Sequence, residues 1–181
     1  MRQSRAALLK GKAQMKVVTP EPYSLPRDTG VLDVWFPLWD GRYTVQAGSD
    51  QTAGGLCHLL VREPKGAAPP LHIHRDADET WYVIQGQLTI YVGDEKFEAG
   101  AGDFVYGPKG LPHTYLVRSE GAEFVATFTP AGGAEGFFAA IGIPVVAGQP
   151  HPGTVPVQPE EFARKAALYS IEIVGPPPSL E

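Results

Sequence analysis

The chain has 181 residues, 43% of them hydrophobic, and a net charge of −5, which suits one packed domain and argues against nucleic acid as a partner. Its single cysteine, Cys57, excludes an internal disulfide and fits a reducing cytosol, and no apolar run approaches the length of a membrane span. The 21 glycines and 18 prolines follow no repeat period, a pattern that favours many short strands joined by tight turns.

Residues 1–16 suggest a short helix around Ala6–Lys10 within a basic arm carrying Arg2, Arg5, Lys10, Lys12 and Lys16. No apolar stretch follows these charges, so a secretory signal is not expected. Pro20, Pro22 and Pro26 make the next segment an extended entry. Val31–Leu38 and Arg42–Ala47 read as strands about a turn at Trp39-Asp40-Gly41, and Leu56–Arg62 reads as a buried strand holding Cys57. Glu63–Pro70 is assigned to a turn region.

Glu79–Gln85, Gln87–Val92 and Lys96–Glu98 are strands separated by turns at Gly86 and Gly93-Asp94. Asp103–Tyr106, His113–Val117 and Glu123–Thr129 continue the series. In Trp81-Tyr82-Val83-Ile84 both faces are apolar, which predicts a strand buried on both sides or one lining an apolar cavity. After Pro130 the spacing turns helical over Ala134–Ile141 and Pro159–Ser170, where Phe162, Ala166 and Tyr169 share a face. Pro144–Pro159 is a proline-rich linker containing His151. The expected organisation is a 1–30 extension, a 31–130 barrel and a 131–181 helical extension packed on that barrel.

Three histidines and one acid have metal-ligand spacing. His72 and His74 are two apart, so on a strand both rings project to one side. Glu79 has the opposite parity, which requires the chain to bulge or turn over Arg75–Asp78. His113 arrives on a distant strand after the Gly110–Pro112 turn. Asp78 competes with Glu79 as the carboxylate ligand, although a turn role suits it better. Three imidazoles and one carboxylate suit one divalent transition metal (Fe, Mn, Ni, Co, Cu or Zn) better than calcium or magnesium.

The complete spacing is more informative than any single residue. Gly66, five residues, His72-x-His74, four residues, Glu79, six residues and Gly86 form one segment. Gly102, five residues, Pro108-x-Gly110, two residues and His113 form the other. Together they resemble the two sequence motifs of the cupin superfamily over about 31–130, with Val117 standing where that pattern ends in Asn. The resemblance implies an all-β fold: a single antiparallel β-barrel of the cupin/jelly-roll type with short C-terminal helices. It also implies His72, His74, Glu79 and His113 directed inward onto one metal.

A second, narrower resemblance lies in Thr129-Pro130-Ala131-Gly132, Glu135-Gly136-Phe137-Phe138, Ile141-Gly142 and the closing Tyr169–Pro177. It is similar to single-domain bacterial quercetin 2,3-dioxygenase-like cupins. It implies ring-opening oxygenation of a flavonol by O2, with Glu79 as ligand and general base. Trp81 and Val83 share Glu79's parity and, with Phe104, Tyr106, Tyr115 and Phe128, are candidates for an aromatic substrate pocket. Phe137 and Phe138 either close its mouth or cover a sheet, and His58 is assigned a structural role. The expected partners are a small-molecule substrate and O2, with neither nucleic acid nor membrane, in a cytoplasmic homodimer. Another metal-dependent cupin enzyme (isomerase, cyclase or decarboxylase) and a non-catalytic small-molecule-binding cupin remain alternatives.

Overall fold

The computed structural model describes residues 19–150 and 152–180. The expected N-terminal helix with its basic side chains, and His151, lie outside the described residues. The elements run β1 (Leu32–Phe36), β2 (Gly41–Ala47), α1 (Ser49–Thr52), β3 (Cys57–Pro64), β4 (His72–His74) and β5 (Asp78–Gln85). They continue with β6 (Gln87–Val92), β7 (Glu95–Gly100), β8 (Phe104–Gly107), β9 (His113–Val117) and β10 (Gly121–Thr129). Then come α2 (Ala134–Ile141), β11 (Ile143–Pro144), α3 (Pro159–Ala167) and β12 (Ile171–Ile173).

Period-two patterning builds the layers. On β10, Ala122, Phe124, Ala126 and Phe128 are buried while the residues between them are more open. Two antiparallel sheets result, ordered β11-β1-β2-β3-β10-β5-β8 and β12-β4-β9-β6-β7. Their inward side chains, among them Leu59, Val83, Leu88, Ile90, Val117 and Phe124, meet in one core. Each sheet ends in edge strands, so the expected all-β antiparallel fold takes the form of a jelly-roll sandwich, not a closed hydrogen-bonded cylinder.

The turn at Gly86 needs glycine twice over. Its φ is +89°, and an added Cβ would lie 2.5 Å from the Gly121 carbonyl oxygen. Trp81-Tyr82-Val83-Ile84 departs from expectation. Trp81 and Val83 are buried, but Tyr82 and Ile84 are exposed on the outer face.

The C-terminal segment does more than pack against the sandwich. Both helices form as expected, the second ending at Ala167, and Phe162 and Ala166 are buried. Beyond the helices, β11 pairs with β1 in the larger sheet and β12 pairs with β4 in the smaller one. Strands of two and three residues are too short to leave a periodic signal in the sequence.

Candidate metal centre

The four residues are assembled by a change of sheet. β4 and β9 belong to the smaller sheet and β5 to the larger. Arg75–Ala77 carries the chain between them, which is the turn that Glu79's parity requires. His72, His74 and His113 therefore face Glu79 across the sandwich. β4 meets β9 at one register pair, His72 opposite His113. Gly110, in the left-handed region at φ +83°, donates its N–H to the His74 carbonyl at 2.9 Å. That bond ties the second motif's turn to the first motif's histidines.

The donor atoms converge. Nε2 of His74 and Nε2 of His113 each lie 3.2 Å from Glu79 Oε2, and one donor atom from each of the four residues lies within 4.8 Å of the others. Neighbouring donors on a metal at about 2.1 Å sit roughly 3 Å apart, so the spacing suits one ion. The tautomers suit it as well. His72 Nδ1 donates to the Pro70 carbonyl at 2.8 Å and His113 Nδ1 to the Leu111 carbonyl at 3.0 Å, leaving each Nε2 lone pair free.

Burial, followed by the neighbouring His113 and His74 rings, pushes the His72 imidazolium down to about 3, so this ring is neutral at pH 7. Burial alone would raise the Glu79 carboxyl, but the His113 and His74 rings beside it outweigh that and hold it down at about 2. A buried carboxylate facing imidazole nitrogens is a site for a cation. Asp78 lies apart from it, its Oδ1 accepting the Lys109 N–H at 2.9 Å.

Beside the four residues lies a narrow cavity of about 60 Å³, bounded mainly by apolar and aromatic side chains. Tyr115 and Phe128 line it, and the Phe128 ring is 5.0 Å from that of His74. Trp81 and Val83 point inward but pack in the core away from the cavity wall, with the Trp81 ring 5.5 Å from that of His113. Phe104 and Tyr106 correct the expectation: they are 61% and 51% exposed on the outer face. On β8 the inward positions are Val105 and Gly107, and Gly107 must be small because a Cβ would lie 2.9 Å from the Trp81 ring.

Phe137 and Phe138 of α2 line the cavity and are buried, so they close one side of it. Cys57 is buried, and burial pushes its thiol up to about 12, as suits an inert core side chain. His58 Nδ1 is 2.9 Å from Thr127 Oγ1 between paired strands, in keeping with a structural role.

The sequence reading missed one polar group. Glu63 is the last inward residue of β3, where inward parity runs Cys57, Leu59, Val61, Glu63. Its Oε1 accepts from Trp39 Nε1 at 2.6 Å, from Tyr115 Oη at 2.8 Å and from Tyr43 Oη. Continuing the alternation of β3 two residues further would have placed this acid inside.

A four-residue metal constellation at one end of a jelly-roll sandwich defines a class of protein. Residues 59–128 match the cupin domain family, so this part of the chain is a cupin domain. Quercetin 2,3-dioxygenase of Bacillus subtilis is 32% identical over 129 residues, covering 71% of this chain and 38% of that protein. Oxalate decarboxylase of Bacillus subtilis is 38% identical over 79 residues, covering 40% of this chain and 20% of that protein. The chain thus spans well under half the length of either relative. An RmlC-like cupin from Shewanella frigidimarina shares the fold, with a TM-score of 0.51 at 22% identity, covering 61% of this chain and 92% of that one. Among the described residues no helix is long and apolar enough to cross a membrane.

Proposed function

We propose that this protein is a metal-dependent dioxygenase acting on a flavonol or related hydroxylated aromatic compound with O2. One observation carries the reading: His72, His74, His113 and Glu79 converge beside a cavity whose remaining wall is largely apolar and aromatic. Similarity to quercetin 2,3-dioxygenase supports it. When bound, a divalent transition metal would supply Lewis acidity and open positions for a substrate oxygen and dioxygen.

The chain's own residues do the rest. His72 and His113 are held in one tautomer by backbone carbonyls. Glu79, ionised and desolvated, accepts the proton of the substrate hydroxyl at its carboxylate. Phe128 and Phe138 present faces for a flat ring, and Phe137 with Phe138 excludes water. At about 60 Å³ the cavity is far below the roughly 300 Å³ of an ordinary ligand pocket, so a flavonol enters only as α2 yields. The same narrowness favours, as a second reading, a single-ring phenolic substrate. Oxalate fits less well, because a small dianion calls for a cationic contact and no Lys or Arg lines this cavity.

Exposed Tyr82, Phe104 and Tyr106 on β5 and the edge strand β8 support a homodimer, which light scattering would establish. The function is tested by metal analysis followed by aerobic incubation with a flavonol panel, following oxygen, carbon monoxide and the flavonol absorption band. Bound transition metal with stoichiometric oxygen uptake is the expected result. No oxygen uptake across the panel by metal-replete protein overturns the dioxygenase reading.

A further inference from the structure

Glu63 raises a question that the metal centre does not answer. It is 4% exposed, and its Oε1 already takes three donors while its buried Oε2 has no partner. Leaving such an atom unmet is costly, on the order of 1–3 kcal/mol. The group is also closely built. A Cβ on Gly41 would lie 3.0 Å from Glu63 Cγ, 3.0 Å from the Tyr43 ring and 3.2 Å from Trp39 Nε1.

The cluster sits behind the cavity wall. Tyr43, Tyr115 and Trp39 all line the cavity, and their polar ends turn to Glu63. Tyr115 is two residues beyond His113 on the same inward row of β9, roughly 7 Å along the strand. The polar side chains on the wall thus fall into two groups, the metal-centre residues and this trio. Each tyrosine hydroxyl donates to Glu63 Oε1, so a lone pair on each hydroxyl oxygen is left to accept. The two hydroxyls stand 3.4 Å apart.

We propose that Tyr43 and Tyr115, backed by Glu63, form a second polar subsite that binds a hydroxyl group on the end of an aromatic ligand remote from the metal centre. This deepens the dioxygenase reading by naming a ligand class: a flat ring system with one oxygen for the metal centre and a hydrogen-bond donor at the opposite end. Glu63 acts as a positioning residue, aiming the two tyrosine hydroxyls.

The test uses metal-replete protein without oxygen, so that no ligand is consumed, and calorimetric binding of two matched pairs. One pair is 3-hydroxyflavone and 3,4′-dihydroxyflavone, and the other is benzoate and 4-hydroxybenzoate. In each pair only the remote hydroxyl differs. The expected result is about three- to ten-fold tighter binding of the hydroxylated member in at least one pair, the worth of one neutral hydrogen bond. That preference falls to about one in Glu63→Gln and in Tyr115→Phe, both checked for an unchanged fold. Tyr115→Phe removes an accepting oxygen itself and Glu63→Gln disturbs only its aim, whereas a merely structural change would weaken both members of each pair alike.

Should Glu63→Gln fail to fold, Tyr43→Phe and Tyr115→Phe carry the comparison. Equal affinities within both pairs, a preference that survives the substitutions, or no binding of any of the four compounds overturns the subsite. Absent oxygen uptake with an intact preference in the benzoate pair instead overturns the dioxygenase reading and leaves the subsite standing.

Discussion

Replacing Glu63 with Gln should change how stability depends on pH. Burial is the largest influence on this carboxyl, and it pushes the acid from 4.5 up to about 7 despite the donors from Tyr43, Tyr115 and Trp39. The folded protein therefore holds the proton more tightly than the unfolded chain does. Stability from this group is fully present below pH 4.5 and is lost as pH rises through about 7. The whole effect is about 3 kcal/mol, of which about 2 kcal/mol falls between pH 5.5 and 8.5. Glutamine does not titrate, so Glu63→Gln removes this slope. Urea midpoints at pH 5.5 and 8.5, at equal metal content, measure it: the variant should gain about 2 kcal/mol on the native protein over that span. A gap between the two proteins that holds within about 0.5 kcal/mol would show that Glu63 is already ionised when buried, and would refute the reasoning.

The remaining expectations are simpler to read. Glu79→Ala and His113→Ala should lose bound metal by elemental analysis, while Asp78→Ala keeps nearly all of it, because the Asp78 Oδ1 is engaged by the Lys109 N–H; the opposite pattern would transfer the ligand role to Asp78. Gly86→Ala should cost about 2 kcal/mol or more in a urea titration, since it strains a positive φ and drives a Cβ into the Gly121 carbonyl. Phe138→Ala should cost about 3–4 kcal/mol of stability yet raise kcat/KM for flavonols over single-ring phenols, because it widens the cavity wall; unchanged selectivity would mean that α2 does not limit entry.

Much of this architecture was legible because a strand's period of two is rigid. His72, His74 and Glu79 could be placed on opposing faces by counting, and the turn between them followed from parity. The helices showed through their spacing and through Pro159 with the acids after it. Where legibility failed, the cause was starting phase or length. Phe104 and Tyr106 were placed inside because aromatic residues near a site resemble a pocket, but Gly107 against Trp81 sets the register and turns them outward. Glu63 was assigned to a turn because an acid beside Pro64 resembles a loop, whereas its partners lie 20, 24 and 52 positions away. Such long-range partners leave no local mark. The same is true of β11 and β12, whose pairing depends on distant strands.

The strand that carries His72 and His74 is held within its sheet mainly from one side. It meets β9 at one register pair but β12 at three, Ile171 with His74, Glu172 with Ile73 and Ile173 with His72. Arg75 adds an ion pair to Glu172 and donates its backbone N–H to the Ser170 carbonyl at 3.0 Å, and the Val174 N–H donates to the Leu71 carbonyl at 2.9 Å. The geometry of two metal-centre histidines is thus set by residues about a hundred positions further along the chain. By linkage, an ion that favours the ordered histidine pair also favours the docked tail, and a tail that leaves weakens the hold on the ion by the same factor. Amide exchange at Ile171–Val174 is therefore a gauge of metal occupancy, legible without touching the centre itself.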